Sequence, residues 1–596
     1  MCGIFAYSGP KSNAPETVFE GLKSLEYRGY DSWGVVTQPG ESSIQQKSLV
    51  VKKRIGKIGT NDINELPPSH IAIGHTRWAT HGKVTELNAH PHLSCDWKIA
   101  IVHNGIIENF VKLQADLRAS GHKFVSETDS EVVAHLLEEE RKTNDLPTSL
   151  RNVFSKLEGL NAVIAMELNS ESLVATTNGS PLVIGIAKGE IYMASDPSAL
   201  LPYTTEVIFL EDGVMAIWSE NKLQFASTKT GKKLEPTSQQ ITWKAQSAEK
   251  GAFAHFMLKE MHEQPAIIRR IAKNAESNSN SDYKELADRI KKARHCYLVG
   301  CGSSWFIARI AQYVFAKIGV LITPIVGSEF LEAAPALSKD DFLIVLSQSG
   351  ETMDSIKPVK LAKKSGTGIG ALVNVPGSSI SRLADITLLI EAGPEKAVAT
   401  TKAFTATLMH LLLVAKEMDG ELFSKLDFNK VAYGVERALS TAKTTQLDKL
   451  AKKFQNDEHL FCLGRGVSFP VAQEAALKVK EVSYLHAEGL AGGELKHGPL
   501  ALITDGTPCI VLAPNDETYA DAISGAMEMK ARGGYVIGIS PQTHQVFDEF
   551  IAVDYLGLGT IFLELAVVQY FGYALAIAKN LDPDMPRNLA KSVTVG

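Results

Sequence analysis

The sequence predicts three folded modules: an α+β, sheet-rich first part, followed by two consecutive α/β domains whose parallel sheets are covered by helices. Three observations lead there. Short apolar, often β-branched runs dominate residues 1–235, as strands prefer. After residue 250, helical stretches alternate with such runs, the pattern of strand–helix–strand units and a parallel sheet. This second part also repeats itself. Gly300-Cys301-Gly302 corresponds to Gly464-Arg465-Gly466, Gly327-Ser328-Glu329 to Gly492-Gly493-Glu494, and the run 344–352 to 510–518, at offsets of 164, 165 and 166.

In the first part, strands are expected at Ile71–Ile73, Ile99–Val102, Ala162–Glu167, Leu182–Ile186 and Val214–Ile217, and a helix over Asp129–Arg141. The chain turns polar over 236–250, a linker signal. The repeat places the two α/β domains at 251–440 and 445–585, with strands such as Tyr297–Val299, Phe342–Leu346, Ile369–Val373 and Ile386–Ile390 in the first copy, and leaves 586–596 as a tail. Thr560–Ala578 is apolar except for Glu564 and Gln569. A carboxylate in lipid is costly, so the segment reads as a buried helix and no membrane association is expected.

With 596 residues, 45% hydrophobic and 21% charged, the chain has enough apolar surface for several cores, which excludes disorder as its dominant state. A net charge of −6 offers no basic excess to neutralise a phosphate backbone, so nucleic acid is not expected as a partner. The six cysteines, 2, 95, 296, 301, 462 and 509, show neither a CxxC pair nor zinc spacing. Met1–Phe5 has no basic segment leading into a long apolar one, so no signal peptide is expected. The thiols are therefore expected to be reduced and the protein cytoplasmic.

The repeats differ in chemistry. The first carries Ser347-Gln348-Ser349-Gly350-Glu351-Thr352 after a strand. Hydroxyls and backbone N–H groups on such a strand-to-helix turn cradle phosphate, aided by the helix dipole. The second has Ala513-Pro514-Asn515-Asp516 there, and its carboxylate repels phosphate. One phosphate site is expected, in the first copy.

The N-terminus suggests a second chemistry. Removal of Met1 leaves Cys2 with a free α-amine, so that nucleophile and base share one residue. An α-amine with a pKa near 8 can take the thiol proton at neutral pH. Around it in sequence lie Tyr27-Arg28-Gly29-Tyr30-Asp31-Ser32, His75-Thr76-Arg77-Trp78-Ala79-Thr80-His81-Gly82, His103-Asn104-Gly105 and Ser126-Glu127-Thr128-Asp129. They supply what hydrolysis of an amino-acid side-chain amide needs. Arg77 can grip an α-carboxylate in a fork, Asp129 can hold an α-ammonium, and the Asn104 amide with the Gly105 N–H can form an oxyanion hole.

On these motifs, residues 1–235 resemble the class II, N-terminal-nucleophile glutamine amidotransferases, and residues 251–596 resemble tandem sugar isomerase (SIS) domains. Further along, Lys496-His497-Gly498-Pro499-Leu500 and the terminal run 586–595 carry the same resemblance. It implies an αββα glutaminase domain joined to two SIS domains, in the family of enzymes that transfer the glutamine amide nitrogen to fructose 6-phosphate, with ketose–aldose isomerisation and internal ammonia channelling. It also implies glucosamine 6-phosphate and glutamate as products, a homodimer with sugar sites shared between subunits, and no metal or redox cofactor.

The resemblance implies roles residue by residue. Cys2 is the nucleophile, Asn104 and Gly105 the oxyanion hole, and Arg77, Trp78, Thr80, His81 and Asp129 the glutamine-binding set, with Trp78 gating the channel and Arg28 near the nucleophile. Ser303, Ser304, Ser347, Gln348, Ser349 and Thr352 take the sugar phosphate, joined by Val398, Glu474 and Ala590. Glu481 is the base that moves the proton between C1 and C2, assisted by Lys478. His497 opens the sugar ring, reaching a neighbouring subunit's site, and Lys591 forms the imine. Independently of the family, Glu474, Lys478 and Glu481 follow i, i+4, i+7 and so share one helix face. Trp33, Ser303, the 489–493 segment and Gly596 depart from the family pattern without removing a catalytic group.

Rival readings lack their own motifs. The pyrophosphatase loop of an asparagine synthetase and the acidic pyrophosphate motif of a phosphoribosyl amidotransferase do not occur. A non-catalytic sugar-phosphate sensor would not need Cys2, Glu481, His497 and Lys591 together.

Overall fold

The computed structural model describes residues 2–39, 48–241, 243, 249–277 and 281–593. The chain divides into two compact units, Met1–Ala248 with Ala590–Gly596, and Glu249–Leu589. Much of the expected linker, at 242 and 244–248, and the last three positions of the tail lie outside the described residues.

The first unit contains two antiparallel sheets. One has eight strands in the order Gln239–Gln240, Glu206–Phe209, Val183–Ala187, Glu190–Ala194, Gly3–Ser8, Ile71–Arg77, Ser32–Thr37 and Val50–Ile55. The other has seven: Lys233–Leu234, Lys222–Ser227, Val214–Ser219, Leu173–Thr177, Asn161–Glu167, Ile99–Gly105 and His92–Leu93. Side chains alternate across a strand, and that alternation builds the layers. Ile4 and Ala6 join Ala100 and Val102 in the core between the sheets. Phe5 and Tyr7 turn the other way, onto the apolar face of helix Ala14–Ser24. Ile99 and Ile101 likewise pack under helices Glu131–Glu140 and Leu146–Phe154. The result is the expected helix–sheet–sheet–helix arrangement. Trp33, one of the departures, is fully enclosed in the outer layer, its ring 5.3 Å from that of Phe19.

The second unit carries two five-stranded sheets, all parallel. The first runs Ile322–Val326, Cys296–Gly300, Phe342–Ser347, Gly368–Val373, Ile386–Leu389. The second runs His486–Ala491, His459–Gly464, Pro508–Leu512, Tyr535–Ser540, Glu549–Ala552. Both therefore have the strand order 2-1-3-4-5, which gives the sequence repeat a structural meaning. Helices cover both faces. One large apolar cluster joins the two sheets through helices such as Ser303–Lys317, Lys402–Met418, Ser468–Ser483 and Thr560–Ala578. Met353–Ser365 covers the other face of the first sheet, and Tyr519–Lys530 that of the second. Strands buried on both faces read as continuous apolar runs rather than alternating ones, as Phe342–Leu346 does.

The helix Thr560–Ala578 lies in the one segment among the described residues, Gly557–Ala578, long and apolar enough to cross a membrane, and 89% of its most apolar window is buried in the protein. Its Glu564 accepts a hydrogen bond from the Ser468 hydroxyl at 2.9 Å. Burial pushes the Glu564 carboxyl up to about 8, so it sits in the core largely protonated. The 489–493 departure also has a packing reason. A Cβ at Gly489 would lie 2.4 Å from Cα of Gln473, so glycine lets this edge strand lie directly on helix Ser468–Ser483.

Candidate active site

The first constellation gathers where several strands of the first unit end. Cys2 immediately precedes strand Gly3–Ser8, whose neighbour Ile71–Arg77 runs antiparallel with Gly3 opposite Thr76. That register brings the end of the second strand, Arg77-Trp78, to the sulfur. The Trp78 N–H donates to Cys2 Sγ at 3.3 Å, and the thiol faces the Trp78 carbonyl at 3.6 Å. Burial pushes the Cys2 thiol up, while the Trp78 hydrogen bond and the Arg77 charge favour the thiolate. The resemblance implies a side-chain role for Trp78; its backbone contact with Cys2 depends on register and is not written in the residue type.

Asn104 and Gly105 end strand Ile99–Gly105 of the other sheet. Asn104 Nδ2 donates to the Cys2 carbonyl at 3.0 Å. Gly105 has φ +139°, and a Cβ there would sit 2.0 Å from the Leu160 carbonyl oxygen. Only glycine passes that point, so the position next to the amide donor cannot carry a side chain.

Asp129 is buried. Its Oδ2 accepts the Ile107 N–H at 2.8 Å, and Oδ1 faces the Ser130 hydroxyl at 3.4 Å. Ser130 in turn is 2.7 Å from His103 Nδ1, and His103 Nε2 is 2.9 Å from Asn161 Oδ1. Arg77 is buried as well, its guanidinium donating to the carbonyls of His81, Gly82 and Lys83. It thereby folds the 78–83 loop around itself and lies close enough to Cys2, Asp31 and Asp129 to feel their charges. His81 contributes that carbonyl and an edge-on contact with Phe110; Thr80 is exposed. Arg28 is buried in an ion pair with Asp196 at 2.7 Å.

Two residues were not singled out from the sequence. Asp31 Oδ2 accepts the Ala79 N–H at 2.8 Å, which pins the loop carrying Trp78. His75 is the other. Both lie inside quoted motifs, but their roles rest on contacts that sequence spacing does not display.

In the second unit, Ser303 opens helix Ser303–Lys317 after the first strand of its sheet, and Ser347–Thr352 follows the third. These are the carboxyl ends flanking the point where strand order reverses, the usual ligand crevice of such sheets. Ser347 Oγ accepts the Gly350 N–H and Ser349 Oγ accepts the Glu351 N–H, both at 3.1 Å. Thr352 stands at the N-cap of helix Met353–Ser365 with no side-chain cap bond. Gln348 lends its carbonyl to the Asn374 N–H, and Ser304 donates its N–H to the Cys301 carbonyl. In the second copy, Asp516 Oδ1 instead takes the Thr518 N–H at 2.8 Å and faces its hydroxyl at 2.7 Å. A carboxylate is built into the turn where an anion would sit.

Glu474, Lys478 and Glu481 do share one face of helix Ser468–Ser483. Lys478 Nζ is 2.5 Å from Glu481 Oε2 and 3.4 Å from Glu474 Oε1, and the lysine side chain is 0% exposed. Ser303 Oγ donates to Glu474 Oε1 at 3.1 Å, tying this helix to the first sheet's switch point. Burial would lower the Lys478 pKa, but the two carboxylates outweigh it and hold the amine as ammonium. Burial pushes the Glu474 carboxyl up to about 7 against the pull of Lys478.

Val398 gives its N–H to the Asp584 carbonyl at 3.0 Å, so a backbone contact to a ligand would use its own carbonyl. His497 is exposed in the turn Glu494–His497, and among the described residues it makes no hydrogen bond to Glu474, Lys478 or Glu481. Ala590 and Lys591 are half-buried and belong to the first unit.

The glutamine amidotransferase domain model matches residues 75–202, and the SIS domain model matches 289–416 and 453–549. The glutamine–fructose-6-phosphate aminotransferase (isomerising) of Pyrococcus horikoshii is 40% identical over 617 residues, covering 100% of both chains. That of Aquifex aeolicus is 38% identical over 611 residues with the same coverage. Among solved structures, the C-terminal domain of glucosamine-fructose-6-phosphate aminotransferase from Francisella tularensis is 31% identical with a TM-score of 0.52, over 56% of this chain and 99% of that one. The chain belongs to the glutamine–fructose-6-phosphate aminotransferase (isomerising) family.

Proposed function

We propose that the chain carries out its family's reaction, glutamine plus fructose 6-phosphate to glutamate plus glucosamine 6-phosphate, with a strict division of labour. Cys2 Sγ attacks the glutamine amide carbon, its proton passing to the α-amine. The negative charge that develops on the amide oxygen is held by Asn104 Nδ2 and the Gly105 N–H. Ammonia leaves, and water releases glutamate from the thioester. Arg77 and Asp129 orient the α-carboxylate and α-ammonium, with Thr80 and His81 completing the pocket and Trp78 guarding the passage of ammonia.

In the second unit, Ser347, Gln348, Ser349 and Thr352, with Ser303 and Ser304, hold the phosphate end of the sugar, and Val398 and Ala590 contribute backbone contacts. His497, from the neighbouring subunit of a homodimer, opens the ring. Lys591 forms the imine at C2, ammonia displaces it, and Glu481 moves the proton between C1 and C2. Lys478 holds Glu481 in place by its ion pair, and Glu474 holds Lys478. The functional boundaries are those read from sequence: 1–235, linker 236–250, 251–440, 445–585 and the tail 586–596. A cytoplasmic location fits two small, water-soluble substrates.

The observation that carries this reading is the Trp78 N–H on Cys2 Sγ, with the Asn104 amide directed at the same residue. Cys2→Ala tests it. The variant is expected to lose glutamine-dependent synthesis while keeping isomerisation of fructose 6-phosphate. Equal loss of both activities in a folded variant would refute the division.

A further inference from the structure

We propose that the first unit contains a structural site for a tetrahedral divalent transition metal, zinc by ligand type, formed by Cys95, His122, His135 and Glu138. These side chains come from three places. Cys95 lies in the turn between strands His92–Leu93 and Ile99–Gly105, His122 follows helix Phe110–Ala119, and His135 and Glu138 lie on helix Glu131–Glu140. Their Sγ, Nδ1, Nδ1 and one carboxylate oxygen lie within 4.8 Å of one another. Cys95 Sγ is 3.6 Å from His122 Nδ1 and 3.5 Å from His135 Nδ1. Glu138 Oε2 is 3.1 Å from His122 Nδ1 and 3.5 Å from His135 Nδ1. Zinc bonds of about 2.0–2.3 Å arranged tetrahedrally put ligand atoms roughly 3.3–3.8 Å apart. Of these four separations, three fall in that range and one is just short of it, and all six among the four residues lie within 4.8 Å.

The hydrogen-bond partners of the two imidazoles point to the same site. Each imidazole also meets a carboxylate on its outer nitrogen: His122 Nε2 is 2.7 Å from Glu139 Oε1, and His135 Nε2 is 3.4 Å from Glu131 Oε1. A neutral imidazole has one N–H. Directed outward, it leaves both Nδ1 lone pairs pointing inward at a sulfur and a carboxylate oxygen. The two ring nitrogens, the sulfur and the carboxylate oxygen then share only the thiol proton of Cys95, which a cation bound by all four can replace. Outer carboxylates on metal-bound histidines are the common supporting arrangement, fixing tautomer and ring orientation. Both histidines are buried, whereas Cys95 and His135 also line a cavity of about 490 Å³ that gives an ion access.

Sequence reading expected no metal, because the ligands are scattered from 95 to 138 without recognised spacing and only the fold unites them. Four protein ligands complete a tetrahedron, so the site is structural rather than catalytic. Binding exchanges the Cys95 thiol proton for the metal. It would staple the turn leading into the Asn104–Gly105 strand to the helix that follows Asp129, thereby bracing two parts of the glutaminase site.

The test uses the full chain, stripped with chelator, reloaded with Zn²⁺ or Co²⁺ and gel-filtered. The expected result is about one metal per chain, a thiolate-to-cobalt charge-transfer band and a higher melting temperature for the metal-loaded protein. Cys95→Ser, an exposed substitution that leaves the fold intact, should abolish the band, and both it and His135→Gln should weaken zinc binding by roughly tenfold or more. Absence of retained metal would overturn the proposal. Metal retained with unchanged affinity in both variants would overturn it too, because the ion would then lie elsewhere.

Discussion

His75 fixes which way the Asn104 side chain points. Its Nε2 lies 3.1 Å from Asn104 Oδ1 and 3.0 Å from the His103 carbonyl oxygen. Both partners are acceptors, so Nε2 carries the proton, and among the described residues Nδ1 has no partner. With its carbonyl held from behind, the Asn104 amide can only present Nδ2 to Cys2, the orientation the proposed oxyanion hole requires. Burial lowers His75 to about 3, so the ring is neutral throughout the working range.

His75→Ala should therefore impair glutamine hydrolysis through Asn104. A misplaced catalytic group costs on the order of 10²-fold in rate, so kcat for glutamate formation should fall by about that factor while KM for glutamine changes little. Isomerisation of fructose 6-phosphate should stay at the parent level. His75→Gln, which can still donate to Oδ1, should recover part of the loss. A rise in KM alone would mean that His75 shapes the glutamine pocket instead.

His75 belongs to a stack that includes His90, 4.1 Å away ring to ring, and beyond it His92. Burial holds all three below the ordinary histidine value. As pH falls below about 6.5, the unfolded chain takes up protons that these folded rings refuse, so folding weakens by up to about 1.4 kcal/mol per pH unit per histidine. The second unit also buries a ring, His410 at about 4, but its Glu564 at about 8 works in the opposite sense. It is protonated when folded, and this favours folding as pH falls from about 8 toward the ordinary glutamate value. Mild acid should thus melt the first unit ahead of the second, and calorimetry of the whole chain from pH 7 to pH 5 should show their transitions moving apart. Transitions that shift in parallel would mean that the histidine stack is not held neutral.

These buried contacts mark what sequence could and could not convey. The repeat offsets and continuous apolar runs at 297–299, 342–346 and 369–373 revealed the parallel sheets, because strands covered on both faces leave no polar alternation. Cys2, Arg77, Asn104 and Asp129 could be nominated from sequence because each residue type brings a distinct chemistry to amide hydrolysis. His75 and Asp31 were not assigned roles, since each acts through another residue across strand register. The Cys95, His122, His135 and Glu138 group was hidden for the same reason. Glu474, Lys478 and Glu481 were legible as one helix face, but the burial of Glu474 and Lys478, which turns a surface-like pattern into an internal ion-pair chain, came only from the packing of Ser468–Ser483 between its neighbours.

Phosphate should bind one SIS copy and not the other. In the first, Ser347 and Ser349 oxygens organise the turn by accepting the Gly350 and Glu351 N–H groups. In the second, Asp516 already takes the Thr518 N–H. A crystal grown with fructose 6-phosphate should show the phosphate at 347–352 alone. Ser349→Ala should weaken sugar-phosphate binding by about 1–3 kcal/mol, the worth of a hydrogen bond to a charged group, whereas Asp516→Asn should leave it unchanged. Density for a phosphate beside Asp516 would contradict this assignment.

The imine should form on Lys591 and not on Lys478. An imine-forming lysine must reach its neutral amine, and Lys478 is held as ammonium by Glu481 at 2.5 Å and Glu474 at 3.4 Å. The chain leading to Lys591 is firmly held. Asp584 accepts the Phe256 and Met257 N–H groups, both at 2.8 Å, at the start of helix Phe256–Ser277, and its carbonyl takes the Val398 N–H. Arg587 then gives its N–H to the Tyr484 hydroxyl at 2.6 Å and lays its guanidinium over that ring at 4.2 Å. Borohydride added with fructose 6-phosphate should leave a stable adduct that peptide mass analysis places on Lys591. Deleting 587–596 should abolish synthase activity while glutamine hydrolysis continues. Asp584→Ala should lower synthesis without touching hydrolysis, since it frees the anchor of the tail and leaves the Cys2 site alone. An adduct on Lys478, or full synthesis by the truncated chain, would move the imine away from the tail.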